Sequence, residues 1–251
     1  MKTLLAFLAI CIGLSLHSQT ILTADGLAGL TTTPSAGITN VTGGLVGWWK
    51  FDENTGTSAA DSSGVGNNGT FNGTPLWTNG VIGSALSFAG SGQDVVIAST
   101  SFPSTNNDRT ICMWIKPYSY PAWAMPFCYG TASGGNAFSI LWNNAVNKLT
   151  VGKFGANASG VNTTGFTTNS WQHFAVTLSG GSSIAYYFNG VTNGTATLAG
   201  INTVVSVARI ADCIPGYGVP SYAGELDDVR IYNRALTTDE ITLIYNWRGK
   251  P

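Results

Sequence analysis

The sequence predicts an all-β domain, two antiparallel sheets stacked as a β-sandwich or jelly roll, with one short C-terminal helix. Three observations predict it. Short runs of β-branched and aromatic residues recur along the chain, separated by Gly, Asn, Ser and Asp clusters, the pattern of brief strands joined by tight turns. Gly contributes 32 of 251 residues and charged residues only 9%, against usual shares of roughly 7% and 25%. Helix-start signals gather in one place, close to the C-terminus. A net charge of −1 excludes nucleic acid as an expected partner, because phosphate binding needs a basic surface.

Residues 1–18 read as a secretory signal. Lys2 supplies the charged start, and Leu4 to Leu16 is almost continuously apolar. That run is shorter than the roughly 20 residues of a membrane span, so no span is expected and a secreted or cell-surface location is. Residues 19–43 are rich in Thr, Gly and Ala without periodicity and read as a flexible leader, with the domain over 44–251. Beyond Cys11 in the signal, three cysteines remain. Cys112 and Cys128 are symmetric about Tyr120, the expected tip of a strand connection. They either bridge across it in an oxidising compartment or stay, with Cys213, as buried thiols.

The first strand is Leu45 to Asp52, rich in aromatics. Asp61 to Gly69 is a turn-rich loop. Ser84–Phe88 and Asp94–Ile97 follow as short strands. Arg109 to Lys116, in which Ile111, Met113 and Ile115 alternate, is a clear strand stopped by Pro117. Further strands are expected at Ala137–Trp142, Leu149–Phe154, Trp171–Leu178 and Ile184–Phe188. The last runs into Asn189-Gly190, a strong hairpin signal. Val204–Ile210 precedes the closing strand.

The closing strand carries many of the chain's few charges. Leu226, Val229 and Ile231 are β-prone, and Asp227, Asp228 and Arg230 interrupt them. Thr237-Thr238-Asp239-Glu240 then forms a capping box, with Leu236 and Ile241 placed as a hydrophobic staple. Ile241, Ile244 and Tyr245 share one helical face, which predicts a helix from Thr238 to Trp247 packed back on the body.

Seven motifs in order resemble the laminin G-like (concanavalin A-like) jelly-roll family over about residues 44–247. They begin with Trp49-Lys50-Phe51-Asp52-Glu53, Asp61-Ser62-Ser63-Gly64 with Asn67, and Gly83-Ser84-Ala85-Leu86-Ser87-Phe88. Thr110-Ile111-Cys112-Met113-Trp114-Ile115-Lys116 and Trp171-Gln172-His173-Phe174-Ala175-Val176 follow. Phe188-Asn189-Gly190 and the stretch from Glu225 to Leu236 complete them. The resemblance implies a concanavalin A-like jelly roll. It also implies a non-catalytic carbohydrate-binding or adhesive module, with a glycan or polysaccharide as the expected partner and an extracellular protein as the alternative.

The candidate chemistry follows from that frame. Beyond the signal there is one histidine, His173, too few for a zinc site built on several histidines and little for a Ser-His-Asp triad. Glu225-Leu226-Asp227 resembles the start of the Glu-x-Asp-x-x-Glu signature of β-glucanase-type hydrolases. Arg230 and Val229 occupy the neighbourhood of its last Glu, and hydrolysis needs two carboxylates. The same acids suit calcium, which takes six to eight oxygens. Asp52, Asp61, Asn67 and Asp227 or Asp228 are the expected ligands, with Asx-turns and ion pairs to Arg as the alternative. For sugar binding the candidates are Tyr118, Tyr120, Trp123, Trp142, Asn143 with Asn144, Tyr217 and Tyr222. These lie in or beside expected loops, where rings can stack on sugar faces and amides can bond hydroxyls. N-x-Ser/Thr sequons stand at Asn40, Asn68, Asn72, Asn157, Asn162 and Asn193.

Overall fold

A computed structural model describes residues 40–143, 147–160 and 165–248, with the backbone alone for 159 and 160. The expected signal, leader residues 19–39, Asn144 and the sequon at Asn162 lie outside the described residues. In chain order the strands begin with β1 (Leu45–Trp49), β2 (Ser58–Ala59), β3 (Gly69–Asn72), β4 (Leu76–Asn79), β5 (Ser84–Ala89) and β6 (Asp94–Ala98). Next come β7 (Arg109–Pro117), β8 (Phe127–Gly130), β9 (Ala137–Trp142), β10 (Leu149–Lys153), β11 (Ala156–Asn157) and β12 (Ser159–Gly160). The set closes with β13 (Gln172–Ser179), β14 (Ser183–Phe188), β15 (Val191–Thr197), β16 (Val207–Ile210) and β17 (Ala223–Tyr232), then helix α1 (Thr238–Asn246).

Two antiparallel sheets form. The larger runs β12-β15-β14-β13-β7-β17-β5-β4, and the smaller runs β11-β10-β9-β8-β16-β6-β3-β2. Alternation on β7 decides which residues meet between them. Ile111, Met113 and Ile115 point into the shared core with Phe174, Val176, Leu226, Val229 and Ile231. From the smaller sheet come Val95, Ile97, Phe127, Tyr129, Phe138 and Ile140. Cys112, Trp114 and Lys116 face outward instead.

β17 is the hinge of the architecture. One of its edges pairs with β7 throughout. The other is shared, with β5 against Ala223–Leu226 and β1 against Val229–Tyr232. The exchange falls at Asp227-Asp228, where the register against β7 shifts and Asp228 adopts φ +50°. This is a β-bulge, which sharpens twist and re-aims side chains. It keeps Glu225, Asp227 and Arg230 on the outer face although they are not evenly spaced.

Most of that outer face is covered. Val41, Cys112, Ala175, Tyr187, Tyr232, Leu236, Ile241 and Ile244 form a second core beneath α1. The helix begins as predicted: Thr237 caps the Glu240 N–H, and the Glu240 carboxylate accepts the Thr237 N–H. Trp48, Ile82, Trp114 and Trp247 make a third cluster beside it. Asn40, Val41 and Gly43, which fall within the expected leader, belong to this cover. The Asn40 side-chain oxygen accepts from Arg230, the Val41 backbone carbonyl from Tyr232 and the Gly43 backbone carbonyl from Arg234.

The expected Cys112–Cys128 bridge is not formed, and both thiols are free. Cys112 packs on the outer face of the larger sheet, and Cys128 on the outer face of the smaller one with Met125, Ala137, Leu141 and Ile214. The whole core separates them, because residue parity on β7 and β8 turns both side chains away from it. Burial pushes both thiols up to about 12, so all that remains of the pair is two small apolar fillers.

Candidate functional site

The bulge and the helix leave one part of the larger sheet's outer face open, at the Ala223 end of β17. Register assembles it. Glu225 lies opposite Ser87 on one side and Lys116 on the other, Ser87 lies opposite Leu76, and Trp171 precedes the Gln172↔Ile115 pair, beside Lys116. Lys116 Nζ is 2.9 Å from Glu225 Oε1 and 5.9 Å from the centre of the Trp171 ring. The Tyr118 hydroxyl donates to Glu225 Oε1 at 2.8 Å and lies 2.9 Å from Ser87 Oγ. Glu225 Oε2 is buried and has no protein partner. Its side chain is 7% exposed against 26% for Lys116.

Local structure holds these groups still. The Tyr118 N–H donates to the Ala223 carbonyl. Gly224, at φ +151°, admits the Tyr222 hydroxyl and the Lys116 carbonyl where any Cβ would collide with both. The Gln172 amide bonds the Thr167 N–H and carbonyl and the Ser170 carbonyl, fixing the turn that presents Trp171. The β7–β8 connection follows beyond Tyr118. Trp123 is held at φ +71° with its N–H on the Trp142 carbonyl, and its ring is 37% exposed. Tyr118 is 40% exposed. A bulky residue with positive φ is a strained arrangement that persists only when its surroundings enforce it.

The seven predicted sugar-contacting residues divide. Tyr118 reaches Glu225, whereas Tyr120 and Trp123 lie on the β7–β8 connection against Trp142, and Asn143 follows β9 with its N–H on the Lys148 carbonyl. Trp142 and Tyr222 are fully buried in the core, because Trp142 is the last residue of β9, paired with Leu149, and Tyr222 packs beneath β17. Tyr120 is half-buried, its ring 4.8 Å from that of Trp142, and neither its hydroxyl nor Trp142 Nε1 has a protein partner. Tyr217 lies elsewhere, against Phe154 on the outer face of the smaller sheet. Sequence reasoning missed Ser87, Lys116, Trp171 and Leu76. Their shared signal is alternation parity, which becomes a site only once strand order is known.

The predicted calcium ligands are bound up mostly within the protein. Asp61 accepts from the Trp48, Ser63, Gly66 and Asn67 N–H groups and from the Ser63 hydroxyl. Asn67 donates its amide to the Val46 carbonyl and Ser101. Asp227 Oδ2 accepts from Val81 and Ile82 at 2.8 and 3.0 Å, and Asp52 accepts from Ser84. Asp228 takes the Trp48 indole N–H and pairs with Arg230 at 2.9 Å. Apart from Asp227 Oδ1, which is buried without a partner, these oxygens serve the protein's own donors. Among the described residues no three His, Cys, Asp or Glu side chains surround a point for an ion.

The hydrolase pattern is replaced in the same way. Arg230 occupies the position of the last Glu, fully buried, its guanidinium 4.4 Å from the Trp48 ring centre and 4.7 Å from that of Trp247. His173 is buried between Trp114 and Tyr245. Burial, with Arg230 and Arg248 behind it, lowers its imidazole to about 3, so it stays neutral. Among the described residues no helix is long and apolar enough to cross a membrane.

Solved structures share this fold at low identity. Domain 4 of AbnA, a GH43 extracellular arabinanase from Geobacillus stearothermophilus, in complex with arabinotriose, is 22% identical with a TM-score of 0.63, over 79% of this chain and 96% of that one. The receptor-binding domain of a botulinum neurotoxin C/D mosaic serotype is 11% identical with a TM-score of 0.64, over 82% of this chain. The binding domain of botulinum neurotoxin DC in complex with SialylT is 13% identical with a TM-score of 0.59, over 82% of this chain. The chain spans about half the length of these two toxin domains (51% of each). No curated protein matches the chain. A family profile matches residues 89–242, and with that match, the two sheets and the single C-terminal helix, the chain belongs to the concanavalin A-like lectin/glucanases superfamily.

Proposed function

We propose that this protein is a secreted, non-catalytic carbohydrate-binding domain whose ligand lies along the open end of the larger sheet. One observation carries the reading. At that end the exposed Tyr118 ring and the half-buried Trp171 ring border a fixed polar set, Glu225, Lys116 and Ser87. Aromatic faces beside convergent polar groups are what sugar recognition uses. The arabinotriose complex of the arabinanase domain, matched over nearly its whole length, agrees with a saccharide ligand on this fold. Arg230 in place of the second acid speaks against hydrolysis, because it is buried under Trp247 and its charge is already paired.

Affinity electrophoresis and a glycan array, each run with calcium and with chelator, test the reading. Binding equal in both conditions is expected. Tyr118→Ala and Trp171→Ala should each weaken it about tenfold, the usual effect of truncating an aromatic anchor. Saccharide release by the wild-type chain that Glu225→Gln abolishes would overturn the non-catalytic reading.

A further inference from the structure

Leu76, Ser87, Glu225, Lys116 and Trp171 form one continuous row across the open end. With strands about 4.8 Å apart the row is ~19 Å long, an oligosaccharide's length rather than a single sugar's. Its two ends are apolar, Leu76 being 67% exposed and Trp171 half-buried, and its middle is polar. The charges in the middle are already matched to each other.

We infer that this row recognises a neutral oligosaccharide through adjacent free hydroxyls and discriminates against acidic and amino sugars. The inference rests on the carbohydrate reading above. A carboxylate only accepts hydrogen bonds and an ammonium only donates them. Glu225 Oε1 is engaged by Lys116 and Tyr118, while Oε2 is buried out of a ligand's reach. A sugar hydroxyl can accept from a second N–H of Lys116 while its neighbour meets the Ser87 hydroxyl, and the ion pair stays intact. A uronate or sialate carboxylate that takes a Lys116 N–H stands beside the like charge of Glu225, and an amino sugar stands beside the like charge of Lys116. Either ligand sets a like charge beside a matched pair, and breaking the pair to relieve it would leave the largely buried Glu225 unpaired, the costly event in such pairs. Discrimination therefore comes from the penalty on wrong ligands as much as from attraction to the right one.

The test is calorimetric titration of the full chain with neutral arabino-, xylo- and gluco-oligosaccharides, with oligogalacturonides, with sialylated oligosaccharides and with chitosan oligomers, at low and high salt. A neutral class should bind at least about tenfold more tightly than the charged ones. Its affinity should be unchanged by salt, since screening acts only between charges. Glu225→Gln, checked for folding by thermal melting, should lose neutral binding and gain acidic ligands at the freed Lys116. Independently of any variant, the bound neutral ligand should protect Lys116 from acetylation, read by mass spectrometry. Preferred binding of acidic glycans that weakens with salt would overturn the inference and leave the carbohydrate reading intact. Neutral binding with Lys116 unprotected and Glu225→Gln unaffected would overturn it too, by placing the site elsewhere. A chain that binds no saccharide of any class would defeat the carbohydrate reading itself.

Discussion

Asp227 holds the Gly80–Ser84 turn with one oxygen and leaves the other, buried, without a partner. Burial, reinforced by Asp228 and Asp52, pushes its carboxyl up from 3.8 to about 8. The folded protein therefore keeps a proton that the unfolded chain has already lost, and stability falls as pH rises from about 4 to about 8. His173 acts in the other direction. Its folded value of about 3 against 6.5 makes the unfolded chain the better proton binder below about pH 6.5, so stability falls as pH drops through that range. The two slopes oppose each other between about pH 4 and 6.5. Above 6.5 only the Asp227 slope remains, at most about 1.4 kcal/mol per pH unit. Asp227→Asn keeps an acceptor for Val81 and Ile82 and removes the titration. Urea melts from pH 6.5 to 8 should show a decline for the wild type and a flat line for this variant. A variant that still declines would assign the slope to another group.

At the scale of elements, the helix shows how far local rules reach. Thr237, Glu240, Leu236 and Ile241 specify its start in the sequence, and the structure places each as expected. Arg234 adds a paired contact to Glu240, whose carboxyl that hydrogen bond lowers to about 2. Thr237→Ala should cost about 1 kcal/mol, a melting-point loss of about 2–4 °C, without changing glycan affinity, because α1 covers the closed part of the face. Long alternating strands such as β7 and β13 were equally legible. β3, β4, β8 and β15 were not. Val191-Thr192-Asn193-Gly194-Thr195-Ala196-Thr197 has the composition of a loop and becomes a strand only because the Asn189-Gly190 turn lays it against β14. Phe127-Cys128-Tyr129-Gly130 is too short to announce a period. The site was half legible for the same reason. Tyr118 and Trp123 stand out as loop aromatics, whereas Trp142 looks like one and is core. Ser87, Lys116 and Trp171 acquire meaning only from neighbours far away in the chain.

At the scale of the whole molecule, the pairing of β1 with β17 joins segments about 180 residues apart, Trp48 opposite Arg230. Native structure depends on many such distant contacts, which places the domain among slowly folding topologies. It also divides the larger sheet's outer face by role. One part is closed by the helix, the Asn40–Gly43 segment and the Trp48–Arg230–Trp247 stack. The other is left for a ligand.

That division has a mechanical consequence. β1 begins beside the end of β17, Leu45 facing Tyr232, so tension applied through the two flanks of this pair pulls neighbouring ends apart. The rungs are then loaded one after another, as in a zipper, rather than all together in shear. Single-molecule pulling should record a low-force first event of a few nanometres, weakened further by Arg230→Met, which removes the rivet between Trp48 and Trp247. Glu225 is held by β5 and β7, not by β1, so the binding row should keep its grip after that first event. A domain anchored on one side and loaded on the other would yield at its seam while staying attached.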